Sequence, residues 1–213
     1  MGWVLIAGCL LAGSIAGALA SWALAARTAR KSITASQFWV VDRSGKPRAM
    51  LGVRADGTSG LAIYDENGEP RAGLSVAADG APMLTLADQD GKLRALLRVE
   101  VDGAPLLSLY DQKGETRAAL VAADDGTSVL ALHDQNGKQR TALAVALNGS
   151  PILGLCDQNG QSRAILSVLG DGRSELGLQD QNGEIRAQLK LSADGTPALG
   201  FYDQNGEVVF DAP

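Results

Sequence analysis

From residue 38 onward, apolar and polar positions alternate in short runs, and a glycine interrupts them every eleven or twelve residues. Alternation with a period of two is the signature of a half-buried strand. A helix is opposed both by that period and by glycine at such frequency. In the first full unit Ala49, Leu51 and Val53 share one face, followed by Leu61 and Ile63 in the second run. The next unit repeats this with Leu74 and Val76, then Leu84 and Leu86. Between them lie small or mixed residues: Gly52, Ser75 and Ala144 in first strands, and Ala62, Thr85, Gly154 and Gly177 in second strands. The leucine face is therefore predicted to be the core. On that reading Leu120→Ala or Leu130→Ala costs roughly 2–5 kcal/mol, and a polar swap at Ala131, on the face it shares with Ala119, costs much less.

The runs form units of constant length. Asp42, Asp65, Asp88, Asp111, Asp134, Asp157, Asp180 and Asp203 stand 23 residues apart, each followed three residues later by a glycine: Gly45, Gly68, Gly91, Gly114, Gly137, Gly160, Gly183 and Gly206. Six residues after each aspartate comes an arginine, from Arg48 to Arg186, except in the last unit, where Val209 stands. A second glycine marks each half-way point, from Gly57 to Gly195, preceded by Asp or, once, by Asn148. A fixed internal period is the mark of a repeat architecture.

The turn chemistry sets the pairing. A three-residue loop such as Ala55-Asp56-Gly57 suits a type I turn with a G1 bulge and places Leu51 opposite Leu61 and Val53 opposite Ser59. A two-residue Asn67-Gly68 loop suits a type I′ turn and places Ile63 opposite Ala72 and Leu61 opposite Leu74. Both keep leucine beside leucine, which predicts a continuous antiparallel meander of 16 short strands. Sixteen strands make too wide a barrel for Leu and Val to fill, so a single layer must roll up or pair with another copy. The alternative is a two-sheet β-solenoid, each unit one coil, which buries the leucines at once. Phe38-Trp39 and Val209-Phe210 read as bulky end caps.

Ahead of the repeats the pattern changes. No charged residue occurs from Trp3 to Ala26. A helix from Trp3 to Trp22 spans about 30 Å, the thickness of a hydrocarbon core, with tryptophan at both interfaces. Ala18-Leu19-Ala20 resembles a signal-peptide cleavage site, yet no Lys or Arg precedes the apolar run to supply an n-region. Leu5-Ile6-Ala7-Gly8-Cys9 resembles a lipoprotein box but leaves no room before it for the usual regions. The segment reads as one transmembrane α-helix. Arg27, Arg30 and Lys31 follow it, so the positive-inside rule places the repeats in the cytoplasm rather than in the periplasm or outside the cell. Gly13, Gly17, Ser21 and Ala25 recur every four residues, a helix-packing stripe of small side chains against another helix. The chain thus divides into an anchor and basic flank over 1–31, a short linker over 32–37, and a tandem β-repeat domain over 38–213 with seven full units and partial end units.

Composition narrows the chemistry. The whole chain carries a net charge of −5. Without the three flanking cations the remainder has 16 basic against 24 acidic residues, a net of −8, which argues against nucleic acid as a partner. Cys9 and Cys156 make no disulfide framework. His133 is the single histidine and shares its place in the repeat with Tyr64, Tyr110, Cys156, Gln179 and Tyr202. In a solenoid His133 and Cys156 stack about 5 Å apart, but a Cys–His pair also needs an orienting partner and an oxyanion site. The turns at Asp65–Gly68, Asp88–Gly91, Asp111–Gly114, Asp134–Gly137, Asp157–Gly160 and Asp180–Gly183 invite a calcium reading. Each offers one Asp and usually one Asn, short of the six to eight oxygens calcium takes, and capping of the turn backbone accounts for both residues. The arginine column faces the aromatics in the meander: Arg71 across from Tyr64, Arg117 from Tyr110, Arg140 from His133, in cation–π stacks and pairs with nearby carboxylates. No catalytic residue, cofactor, metal or small-molecule substrate is expected.

The units resemble the tandem D-x-N-G-x-x-R-A-x-L repeats of uncharacterised bacterial membrane or secreted proteins. More loosely, Tyr64-Asp65, Tyr110-Asp111 and Tyr202-Asp203, each followed by x-x-Gly, are similar to the YD repeats of RHS shells. The resemblance covers residues 38 to 211 and is specific in its turn chemistry; it implies a β-wall or scaffold rather than a reaction. The expected role is a non-enzymatic, membrane-tethered structural or interaction protein whose partners are the lipid bilayer and other membrane subunits or itself. The alternative is an extracytoplasmic binding module for polysaccharide or cell wall, which the shortage of aromatics weakens.

Overall fold

A computed structural model describes residues 33–212 of the chain. The anchor and its stripe of Gly13, Gly17, Ser21 and Ala25 lie outside the described residues, as does Ser32 of the linker. No helix among the described residues is long and apolar enough to cross a membrane.

The repeat region is one sheet. Its strands are β1 (Gln37–Val41), β2 (Pro47–Val53), β3 (Ser59–Tyr64), β4 (Pro70–Val76), β5 (Pro82–Ala87) and β6 (Leu93–Val99). They continue through β7 (Pro105–Tyr110), β8 (Thr116–Ala122), β9 (Ser128–His133), β10 (Gln139–Val145) and β11 (Pro151–Cys156). The last are β12 (Ser162–Val168), β13 (Ser174–Gln179), β14 (Ile185–Leu191), β15 (Pro197–Tyr202) and β16 (Val208–Ala212). Their spatial order is their chain order, and each pair is antiparallel. The meander is therefore the fold, and the solenoid is excluded. Proline sits where a sheet tolerates it, at the first residue of a strand, as in Pro70, Pro82 and Pro105.

Register follows the leucines. Leu51 pairs with Leu61, Leu61 with Leu74, and Leu74 with Leu84. The column continues through Leu97, Leu107, Leu120, Leu130, Leu143, Leu153, Leu166, Leu176 and Leu189 to Leu199. One leucine per strand thus runs unbroken from β2 to β15. Cross-strand pairs of this kind are the unit from which a sheet draws its side-chain stabilisation.

The turn assignment needs one correction. In the Asp-x-Asn-Gly hairpins the Gly68 N–H donates to the Asp65 carbonyl and the Asp65 N–H to the Glu69 carbonyl. That closes a three-residue loop, as in the Arg54–Thr58 hairpin. Among the described residues only glycines have positive φ, with Gly68 at +87°, so Asn67 does not adopt the left-handed conformation a type I′ turn demands. The extra loop residue is absorbed by a bulge: Tyr64 pairs with Pro70, while Ile63 pairs with Ala72. The core register therefore agrees with the two-residue reading although the turn does not. Arg71 occupies the bulge, as do Arg117 between the pairs Tyr110–Thr116 and Leu109–Ala118, and Arg140 between His133–Gln139 and Leu132–Thr141. The arginines do not lie directly across from Tyr64, Tyr110 and His133.

The core is also not where the alternation put it. Leu120 is 46% exposed and Leu130 38%, whereas Ala131, on the other face, is 8% exposed. The buried residues of the sheet are mostly small: Ala62, Ala131, Ser108 and Ser167, with Met50 and Gln188. Small side chains are screened by taller neighbours on their own face. Leucines standing on a single layer have no second layer to cover them.

Candidate interaction face and its turn edge

A meander puts alternate hairpins on opposite edges of the sheet. One edge collects the Asp-x-x-Gly turns with Asp65 and Gly68, Asp88 and Gly91, Asp111 and Gly114, Asp134 and Gly137, Asp157 and Gly160, and Asp180 and Gly183. In the turns opened by Asp65, Asp111, Asp157 and Asp180 the aspartate does two jobs. Asp65 Oδ1 accepts from the backbone N–H of Asn67 at 2.8 Å and of Glu69 at 3.0 Å. Its Oδ2 accepts from Arg71, with Nε at 3.0 Å. The same guanidinium then reaches the next turn of the edge, donating to the carbonyls of Asp88 and, at 2.7 Å, Gln89.

The pattern repeats along the edge. Arg117 joins Asp111 to the carbonyls of Asp134 and Gln135, Arg163 joins Asp157 to Asp180, and Arg186 joins Asp180 to Asp203. Arg140 differs, with Nε on the Cys156 carbonyl at 3.0 Å, and Arg48 and Arg94 only pair with Asp42 and Asp88 at 3.7 and 3.8 Å without reaching the next turn. The bulge is what aims these side chains, since an extra residue on one strand re-directs its neighbour. The arginine column is thus a set of clamps between successive turns, and the carbonyl acceptors are the part that sequence did not disclose. The regular spacing of Asp and Arg, six residues apart, was the available signal.

Bonding of this density accounts for the carboxyls. Burial pushes the Asp111 carboxyl up, but the N–H of Glu115, the Arg117 guanidinium and the N–H of Lys113 outweigh it and hold the group below its ordinary value of 3.8. Asp65, Asp157 and Asp180 are held low by the same balance. A carboxyl that is lower in the folded than in the unfolded chain lends stability above the unfolded value, and loses it as pH falls through the folded one. Stability of the full chain in mild detergent is expected to be level from pH 7 to about 4, then to fall steeply as Asp65, Asp111, Asp157 and Asp180 titrate together. Asp111→Asn makes that fall shallower by one group. Urea unfolding across this range is the check, and a loss already complete by pH 5 contradicts it.

The same oxygens bear on the calcium reading. Both carboxylate oxygens of Asp65 are engaged by the protein's own donors, as Asx capping requires. Among the described residues no three His, Cys, Asp or Glu side chains gather as a metal site would need. His133 ends β9 and Cys156 ends β11, with β10 between them. Two strand spacings, about 10 Å, separate their places in the sheet.

Between its two edges the leucine face is the other candidate surface. Each strand from β2 to β15 contributes a central leucine flanked by Ala, Val, Leu, Ile, Phe, Pro, Ser or Thr, as in Ala118-Leu120-Ala122 and Ser128-Leu130-Leu132. No charged residue occupies that face in any regular pair from β1 to β16. Exposures of 58% at Leu74, 51% at Leu143 and 51% at Leu189 show it uncovered along its length.

No family model and no curated protein matches the chain. Among solved structures it is similar to the TCP domain of SAS-4 (dCPAP) of Drosophila melanogaster, determined in complex with a proline-rich motif of Ana2 (dSTIL). That similarity has 11% identity over 79% of this chain and 92% of that one, with a TM-score of 0.44. It is also similar to the wild-type TCP10 domain of Danio rerio CPAP, at 18% identity over 82% of this chain and 99% of that one, TM-score 0.27. A further likeness is to the same Danio rerio domain in complex with a peptide of STIL, at 15% identity over 83% and 99%, TM-score 0.26.

Proposed function

We propose that the chain is a non-enzymatic scaffold or interaction protein, tethered to the membrane by residues 3–22, that works as a subunit of a membrane assembly or by self-association. One observation carries the reading: an uncharged leucine column crosses fourteen successive strands and stands open on a single-layer sheet. Soluble monomers seldom leave a contiguous apolar patch beyond roughly 300–600 Å² uncovered, and larger ones mark interaction sites. The likeness of the turns to tandem D-x-N-G-x-x-R-A-x-L repeats agrees with such a role. The positive flank of Arg27, Arg30 and Lys31 supports a cytoplasmic rather than a periplasmic or extracellular side for the sheet.

The test is chemical protection in native membranes. With Cys9→Ser and Cys156→Ser as background, Leu120→Cys should alkylate several-fold more slowly than Asn136→Cys on the exposed turn edge. Equal rates mean that the leucine face is bare in the membrane, which overturns the reading. Carbonate washing is expected to leave the chain in the membrane; its release removes the tether. An impermeant maleimide applied to intact cells should spare Asn136→Cys, and efficient labelling reverses the side.

A further inference from the structure

We infer that the leucine face is covered by a second copy of this chain, packed face to face with the two leucine columns running in the same direction. The inference deepens the interaction reading above by naming the occupant, and its direction rests on the tether.

Three observations select a copy of the chain over other occupants. The first is area. Fourteen strands at about 4.8 Å spacing, each presenting about five residues at 3.3 Å, make a surface of about 60 by 16 Å, on the order of 1,000 Å². A stable pair of proteins buries about 800 Å² on each side, so this one face suffices without the edges. The second is period. The column offers the same side chain at every strand, from Leu51 to Leu199, and identical ladders interdigitate into dry interfaces when two sheets meet. A partner must match this spacing over fourteen strands, and another copy does so by construction. The third is charge. The face has no charged residue to repel its own counterpart.

A lipid surface fits less well. Carboxylates stand along both edges of the face, Asp65, Asp111 and Asp157 on one and Asp79, Asp102 and Asp125 on the other. An anionic bilayer repels such a rim. Two copies that share a membrane keep their N-terminal ends together. The two-fold axis then runs along the leucine column, and each leucine meets the same leucine of the other copy. Facing sheets lie about 10 Å apart, within reach of a short bis-maleimide joining one engineered cysteine to its counterpart.

Full-length chains lacking Cys9 and Cys156 and bearing Leu120→Cys, Leu61→Cys or Lys190→Cys test this in membranes. Lys190 is exposed on the opposite face. Leu120→Cys and Leu61→Cys are expected to give a cross-linked species of twice the monomer mass, and Lys190→Cys none. Cross-linking at Leu120 without Leu61, which lies far from the middle of the column, overturns the common direction. Equal cross-linking at Lys190 reports crowding and overturns the face. Absence of self-cross-linking with slow alkylation at Leu120 assigns the face to another molecule: pairing fails and the interaction reading stands. Absence with fast alkylation defeats both. Circular dichroism showing unchanged strand content in each variant excludes misfolding as the cause.

Discussion

Gly60→Ala is expected to destabilise the sheet by roughly 1–3 kcal/mol, the range for overpacking, although one methyl is the whole change. A Cβ at Gly60 lies 2.4 Å from the Leu74 carbonyl oxygen and 2.8 Å from the Ser75 Cα. Those are backbone atoms of the neighbouring strand, so no rotamer relieves the clash, and β3 and β4 must part locally. The equivalent place in later units holds Met83, Leu106, Val129 and Ile152. The close approach therefore belongs to the first units. There Gly52, Gly60 and Gly73 line a hollow of about 290 Å³ beside Met50 and Met83. Gly154→Ala is the control: nothing lies within 4 Å of its Cβ position. Relief of glycine's excess freedom in the unfolded chain should make it neutral or stabilising by about 0.5–1 kcal/mol. Denaturant midpoints of the full chain at constant slope give both values. Equal effects of the two substitutions refute the argument.

Gly60 also shows what pattern alone leaves out. The period of 23 and the alternation of leucine with small residues specify the strands and the side on which each residue stands, whereas the choice of meander over solenoid comes from the strand order of the sheet. A one-residue slip would carry the whole leucine column to the other face. They do not reveal how closely two strands approach. Nor do they reveal what covers an apolar face: Leu120 is apolar and in register, and nonetheless nearly half exposed. The turn at Asn67-Gly68 was misread for a related reason. An extra loop residue and a bulge cancel in the register, and only the positive φ confined to glycine separates the two solutions. The helix-packing stripe from Gly13 to Ala25 lies outside the described residues, so its role stands on sequence alone.

The arginine clamps carry the second large effect. Arg117→Ala is expected to cost roughly 1–3 kcal/mol through its two carbonyl acceptors alone, since charge-assisted bonds are the stronger kind. The guanidinium donates to the carbonyls of Asp134 and Gln135 and to the Asp111 carboxylate at once. One side chain thus joins two turns that are separated by two strands. Arg117→Lys should not restore the loss, because an ammonium lacks the planar fork that serves three acceptors together. Arg43→Ala, exposed in the first turn, should change stability by less than about 0.5 kcal/mol. In a chain whose strands touch only their neighbours, damage stays near its origin. Amide exchange should accordingly quicken first at Gln135–Gly137 and at the Asp111 turn, while β13 to β15 keep their protection. Uniform loss of protection along all sixteen strands would show instead that the sheet unfolds as one unit and that the clamp has no local action.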